Sequence, residues 1–189
     1  FQTDERFIMA ANLRDFVNAG GSLYVSDRSH PFIELAFPDV IDFLGSDDTA
    51  MNDNQIKSAV AEAWQGYAPQ NVTATVNNME LETILGANTA AIAFPHMPPD
   101  ILGNNWAVMA GADMTATIHL AGDVALCGAG SLIDPCPTGG GTQTGAPLLV
   151  TWKAASGGTI TFTSFHNERQ ANAVTQDMQK ILRYLIFQL

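Results

Sequence analysis

The stretch Leu13-Arg-Asp-Phe-Val-Asn-Ala-Gly-Gly-Ser-Leu-Tyr-Val-Ser-Asp27 decides how the chain is read. Its first half continues a run in which Phe7, Ala10, Leu13, Phe16 and Val17 recur at helical spacing, so they share one face of a helix. Gly20-Gly21 stops that helix, because glycine enters the left-handed conformation of a helix terminus at little cost. Ser22 to Asp27 follows as a short apolar run of strand type. Helix, Gly-Gly and buried strand in immediate succession make an αβ unit of a parallel sheet.

Outward from this unit, Arg28-Ser-His-Pro31 turns the chain and Phe32 to Phe37 forms a helical turn before Pro38. Asp47-Asp48 and Asn52-Asp53-Asn54 read as a solvated loop; as calcium ligands they lack the central Gly and final Glu of an EF-hand. Gln55 to Trp64 carries Ile56, Ala59, Val60 and Ala63 on one helical side. Val72–Val76 is a β-branched strand, Met79–Leu85 a short helix stopped by Gly86, and Ala90–Phe94 another strand. Pro95, Pro98 and Pro99 break the chain around His96. The second half changes character. Trp106–Met109, Thr115–Leu120, Val124–Leu126, Pro147–Lys153 and Thr159–Phe165 are all short strands on pattern, separated by Gly and Pro clusters. Thr138-Gly-Gly-Gly-Thr-Gln-Thr-Gly145 reads as a flexible loop, since it lacks the Lys-Ser/Thr ending and following helix of a phosphate cradle. Met178, Ile181, Leu182, Leu185 and Leu189 mark a last helix, which Tyr184, Ile186 and Phe187 widen into one buried on more than one side.

The chain has 189 residues, with 8 Lys+Arg against 19 Asp+Glu and a net charge of −11. Charged residues amount to 14%, against about 25% in ordinary soluble domains. The acidity therefore comes from a scarcity of cations. Nucleic acid is excluded as a partner, because phosphate contacts need clustered Lys and Arg. An anionic membrane surface is excluded on the same ground. No run of 18 apolar residues occurs, so direct membrane insertion is not expected. Trp64, Trp106 and Trp152 lie far apart in sequence and read as core packing rather than as a sugar platform.

Cys127 and Cys136 flank a loop of small residues, Gly128 to Pro135. A disulfide closing that loop is the expected state, with two buried thiols or a redox pair as the alternatives. No zinc set surrounds them, and no motif calls for a cofactor or a metal. A structural disulfide, with few lysines and many Thr, Asn, Ala and Gly, places the protein outside the cell, on its surface or in the periplasm. The opening Phe1-Gln-Thr-Asp4, without initiator Met or signal peptide, reads as an interior piece of a longer precursor.

Chemistry has two candidate positions. In open α/β sheets, ligands collect beyond the carboxyl ends of strands. One strand end carries Ser26-Asp27-Arg28-Ser29-His30 and another carries Ser164-Phe-His166-Asn167-Glu168-Arg169. Brought together, these would form an acid/base or ligand site from Ser26, Asp27, Arg28, His30, His166, Asn167 and Glu168. Otherwise Asp27 caps a turn and His166 satisfies local backbone groups.

The segment Leu13–Asp27 resembles the helix, Gly-Gly, strand, sharp-turn segment of the class I glutamine-amidotransferase-like superfold. Pro147-Leu-Leu-Val-Thr-Trp152 with Gly157-Gly-Thr-Ile-Thr-Phe-Thr-Ser-Phe-His-Asn-Glu168 resembles its closing hairpin and Phe-His-x-Glu signature. Trehalose-utilisation-type and galactosidase-trimerisation-type members are the most similar. The resemblance covers about a third of the chain in two blocks. It implies one α/β domain over residues 1–189, a flavodoxin-like three-layer sandwich with a mainly parallel central sheet and antiparallel strands in the C-terminal half. It also implies that His166 and Glu168 stand where catalytic members carry the base and its orienter. The thiolate nucleophile of those members would fall at or next to Asp27, where this chain has no cysteine. Ser26 and Ser29 sit in no Gly-x-Ser-x-Gly elbow. Members begin with strands that precede the Gly-Gly helix. Their absence here implies about 60–100 further residues, two ~30-residue βα units, supplied by the remainder of the parent chain or by another protein subunit. Three functions follow as expectations. The first is a non-catalytic module mediating assembly or ligand binding. The second is a carbohydrate or amide hydrolase using Asp27, His166 and Glu168, and the third is a purely structural subunit.

Overall fold

The computed structural model describes residues 3–45, 64–94, 106–127, 138–166 and 175–188. The described residues form helices α1 (Thr3–Asn18), α2 (His30–Ala36), α3 (Met79–Leu85) and α4 (Gln176–Gln188). The strands are β1 (Ser22–Ser26), β2 (Ile41–Phe43), β3 (Gln65–Gly66), β4 (Gln70–Val76) and β5 (Thr89–Phe94), then β6 (Trp106–Ala107), β7 (Met109–Ala112), β8 (Thr117–Cys127), β9 (Thr138–Lys153) and β10 (Thr159–Thr163). Residues 55–63 of the helix expected over Gln55–Trp64, the residues of the expected Asp47–Asn54 loop, the Pro95–Pro99 break, the Gly128–Pro135 loop and Cys136 lie outside the described residues.

The αβ unit forms as its sequence dictates. Gly20 takes φ +96°, its N–H donates to Val17 O at 3.0 Å, and the Gly21 N–H donates to Phe16 O at 2.9 Å. These two bonds, one spanning five residues and one three, close a Schellman terminus. The Phe16 ring lies directly over Gly21, in space that any Cβ would fill. β1 then pairs in parallel with β10, Ser22 opposite Thr159 through Ser26 opposite Thr163.

Beyond that pair the expectation of a mainly parallel sheet is corrected. The fold is mixed α/β, but β10–β9, β9–β8, β8–β4 and β4–β5 are all antiparallel, as are β3–β8, β3–β6 and the separate β2–β7 ladder. For β9 and β10 the physical reason is connection length. β9 and β10 are joined by the tight turn Ala154–Gly158, in which the Ala154 N–H donates to Gly158 O at 2.8 Å and Gly157 takes φ +103°. Parallel neighbours need a long crossover instead. The one parallel pair among the described strands joins strands from opposite ends of the chain.

The glycine-rich stretch is a second correction. Residues 138–145, read as a flexible loop, are the first half of β9 and pair with β8 from Cys127 opposite Thr138 to Val124 opposite Gln143. Gly140 lies so close to the Cys127 carbonyl that a side chain has no space, and Gly141 and Gly145 take φ +90° and +64° at an irregular register. Here glycine serves close approach and bulging, not disorder. Thr115–Leu120 and Val124–Leu126, read as two strands, merge from Thr117 onward into the single strand β8, which passes through Gly122 because Val72 occupies the place of a Cβ.

Alternation along the strands divides the apolar side chains into two clusters. Val25, Val150, Ile160 and Phe162 join Ala10, Val17, Ile33 and Leu35 from α1 and α2. Leu120, Val124 and Leu148 join Leu81 and Leu85 of α3 and Met178, Ile181, Tyr184 and Leu185 of α4. Trp106 is buried and stacks on Phe94 with centroids 4.1 Å apart, while Trp64 and Trp152 pack against the clusters part-buried. The two outer helices are less buried than their patterns suggest. On α1 Ala10 and Val17 are buried, but Phe7 and Phe16 are 39% and 50% exposed and Ile8 is 61% exposed. On α4 Ile186 and Phe187 face solvent, which corrects the expectation of a helix covered on several sides.

Candidate functional site

The site is built by two strand ends that the parallel pairing puts side by side. β1 ends at Ser26 and the chain enters a 3-10 turn, Asp27–Ser29, before α2. Asp27 takes φ +53°, and it is the non-glycine residue with positive φ among the described residues. That region is costly for L-residues but least so for Asp and Asn, whose short polar side chains bond locally. The strained position rotates the Asp27 side chain off the strand direction and towards β10, whose last residue, Thr163, lies opposite Ser26.

β10 continues past Thr163 into a bend anchored to β9, where the Ser164 N–H donates to Leu148 O at 3.0 Å. His166 follows, and its Nε2 forms an ion pair with Asp27 Oδ2. The two partners differ in access. The His166 side chain is 44% exposed and that of Asp27 11%. The pair therefore presents a solvent-accessible imidazole backed by a buried carboxylate, the arrangement that orients a ring and stabilises its protonated form.

A hydroxyl chain fixes the bend. The Thr163 hydroxyl donates to Phe165 O at 2.9 Å, so the Tyr24 hydroxyl, 2.9 Å from Thr163 Oγ1, is the donor in that contact. Tyr24 of β1 thus holds the backbone next to His166 from the neighbouring strand. Neither Tyr24 nor Thr163 is singled out by sequence reasoning. The available signal is alternation, which places both on the face opposite Val25 and Phe162.

Of the residues expected in the site, Asp27 and His166 meet. Ser26 stands part-buried at the end of β1. His30, the first residue of α2, is 2% exposed and packs its ring 5.2 Å from that of Phe43, so it belongs to the core side of the turn. The Arg28 side chain, Asn167 and Glu168 lie outside the described residues. No group of three metal-ligating side chains occurs among the described residues. Cys127 is buried at the end of β8 with its Sγ 3.5 Å from Gly66 O. No described helix is long and apolar enough to cross a membrane. Comparison with protein-family models, curated proteins and solved structures finds no match to this chain.

The left-handed backbone at Asp27 is open to a direct test. Asp27→Gly and Asp27→Ala both delete the ion pair, but only the glycine relieves the backbone. The glycine variant is expected to be the more stable by about 1 kcal/mol in urea denaturation. Equal midpoints would contradict the left-handed geometry.

Proposed function

We propose that this chain is an amidotransferase-like α/β module of an exported or cell-surface protein that serves assembly or ligand binding and does not hydrolyse amides. The observation that carries the reading is Asp27. It occupies the left-handed position directly after a parallel strand, faces the histidine that follows β10, and is a carboxylate where amide-cleaving members of the superfold carry a thiolate. A carboxylate held by an imidazole is a poor attacking group for an amide carbonyl. It is well suited to bind hydroxyl or cationic groups, since it accepts hydrogen bonds while the imidazole supplies a charged donor.

The assembly half of the reading is supported by α1. Its outer face presents Phe7, Ile8 and Phe16 to solvent, and an open groove of about 330 Å³ runs along it between Glu5, Ile8, Met9, Asn12 and Leu13. An apolar helix face of this kind is suited to contact with the remainder of the parent chain or another subunit. Residues 1–189 as one domain with the superfold's three-layer architecture belong to the same reading. Its support is the αβ unit, the parallel β1–β10 pair and the helices on two apolar clusters. A Cys127–Cys136 disulfide and an extracellular or periplasmic location complete it. Alkylation is expected to label neither cysteine until a reductant is added.

The deciding experiment has two arms. The protein is expected to release no ammonia from glutamine above the buffer rate, and to run in native mass spectrometry as an oligomer or a complex rather than as a monomer. A monomer that turns glutamine over would contradict the proposal. One observation favours a second reading, a hydrolase: the half-exposed His166 imidazole against a buried carboxylate is an acid/base pair. For that reading Asp27→Asn and His166→Ala must each abolish a measured turnover of a carbohydrate or amide substrate.

A further inference from the structure

A row of polar side chains crosses the face of the sheet beneath α4. Register places Tyr24 opposite Thr161 and Thr161 opposite Thr151, and Thr151 Oγ1 lies 2.6 Å from Nε2 of His119 on β8. The row ends on α4, where the Tyr184 hydroxyl is 3.4 Å from His119 Nδ1 and the two rings meet edge to face, 5.7 Å apart. His119 and Tyr184 are 4% and 3% exposed. An imidazole so placed is satisfied when neutral, accepting one hydrogen bond and donating the other. Once protonated it donates from both nitrogens, so whichever hydroxyl had been donating to it, that of Thr151 or of Tyr184, must turn to accept, and among the described residues no carboxylate is in contact with the charge.

We infer that His119 is an acid-sensitive latch, and that its protonation loosens α4 from the sheet while β8, β9 and β10 stay paired. Among the described residues, the charged and titratable groups on the surrounding elements place no carboxylate in contact with His119. α4 carries Asp177, Lys180, Arg183 and Tyr184, α3 carries Glu80 and Glu82, β8 carries Asp123 and β9 carries Lys153. Of these Tyr184 touches His119. Glu80 acts on Tyr184 rather than on His119: burial first, and then this carboxylate, hold the Tyr184 phenol above its usual value.

The helix is the partner that yields. β8 and β9 are tied by a ladder running from Thr117 opposite Thr151 to Cys127 opposite Thr138. Beyond its apolar face, α4 is held by a few polar contacts. The Ala91 N–H donates to Asp177 Oδ2 at 2.9 Å, the Thr175 hydroxyl donates to Ala91 O at 2.6 Å, and Lys180 Nζ donates to Leu85 O at 2.8 Å. The first two sit at the start of the helix and the third on its α3 side, and none of them involves His119. The direction of the pH effect follows from burial, which pushes the His119 imidazole from 6.5 down to about 4. A closed state with a depressed histidine keeps its full stability above about pH 6.5 and loses it as pH falls to about 4, because the open form binds the proton more readily.

Hydrogen exchange on the full chain, corrected for the intrinsic rate at each pH, tests the latch. Between pH 7 and pH 4.5 the opening constant of residues 178–187 is expected to rise roughly 10- to 100-fold, tenfold for each pH unit below 6.5 until the folded value is approached. The β8 and β9 amides keep their protection. His119→Gln keeps a donor and an acceptor but does not titrate, and is expected to abolish the rise. The wild-type imidazole signals of His119 supply a readout that needs no variant, with a midpoint well below 6.5. An opening of α4 that is unchanged by pH, or a rise that persists in His119→Gln, overturns the inference. So does a His119 midpoint near 6.5.

Discussion

Gly158→Val is expected to lower the melting temperature by about 6–12 °C, the shift that a loss of about 3 kcal/mol produces in a chain of this size. Gly158 ends the turn just before β10, and its α-carbon faces the end of α1. A Cβ there would stand 2.7 Å from Gly21 O and closer still to Val17 O. Both obstacles are backbone atoms of the Schellman terminus, so no flexible side chain can swing aside. Relief requires separating the β9–β10 turn from the α1–β1 turn. That disturbs the Ser22–Thr159 start of the only parallel pair among the described strands and the burial of Val17 and Ile160 beneath it. Overpacking of this kind costs about 1–3 kcal/mol and occasionally more, with fixed backbone neighbours at the upper end. Gly157→Ala provides the contrast. Gly157 has φ +103° and open space around it, so its cost is conformational alone, about 1 kcal/mol. Thermal unfolding followed by circular dichroism compares the two, and equal shifts would mean that the close approach at Gly158 is not tight.

The same contact explains which parts of the fold were legible in the sequence. The Gly-Gly helix stop, β1, the Met79–Leu85 helix with Gly86 at φ +75°, and the strands around Val72 and Ala90 all announce themselves locally. Asn78 even caps α3 through its side chain, accepting from the Leu81 N–H at 2.9 Å. Strand direction is not a local property. Nothing in Val72–Val76 or Pro147–Lys153 states whether its neighbour runs parallel, and the local αβ unit at β1 fixes the direction of none of the strands beyond β10. Glycine misled in a similar way. Composition cannot separate a glycine that loosens a loop from one like Gly140, which lets two strands approach, because the difference lies in what stands opposite. On α1 Ala10 and Val17 are buried and Leu13 is part-buried against the same cluster while Phe7 and Phe16 stay exposed, since periodicity shows amphipathicity and not the extent of the surface that meets it.

For the site, Asp27 and His166 were legible because both are ionisable residues placed just after strand-like runs. Their contact was not, since it depends on the register of β1 against β10 and on the left-handed backbone at Asp27. Tyr24 and Thr163 carry no such local signal because hydroxyls on strands are common, and only the pairing shows that these two lock the bend before His166.

In the proposed reading, Asp27 stands at the nucleophile position of the superfold without being a thiolate, with His166 as its imidazole partner. Asp27→Cys tests it most directly. A thiol placed beside an imidazole on a strained turn ionises well below the ordinary value of about 8.5. Its sulfur then displaces iodide from iodoacetamide at pH 6.5, where a free thiol is about 1% ionised. Peptide mass analysis locates the adduct and separates it from Cys127 and Cys136. The account predicts that the alkylation rate at position 27 titrates with a midpoint at least about 2 units below 8.5, and that adding His166→Ala lowers the rate at pH 6.5 by at least tenfold. A midpoint near 8.5 that does not move when His166 is removed would contradict it.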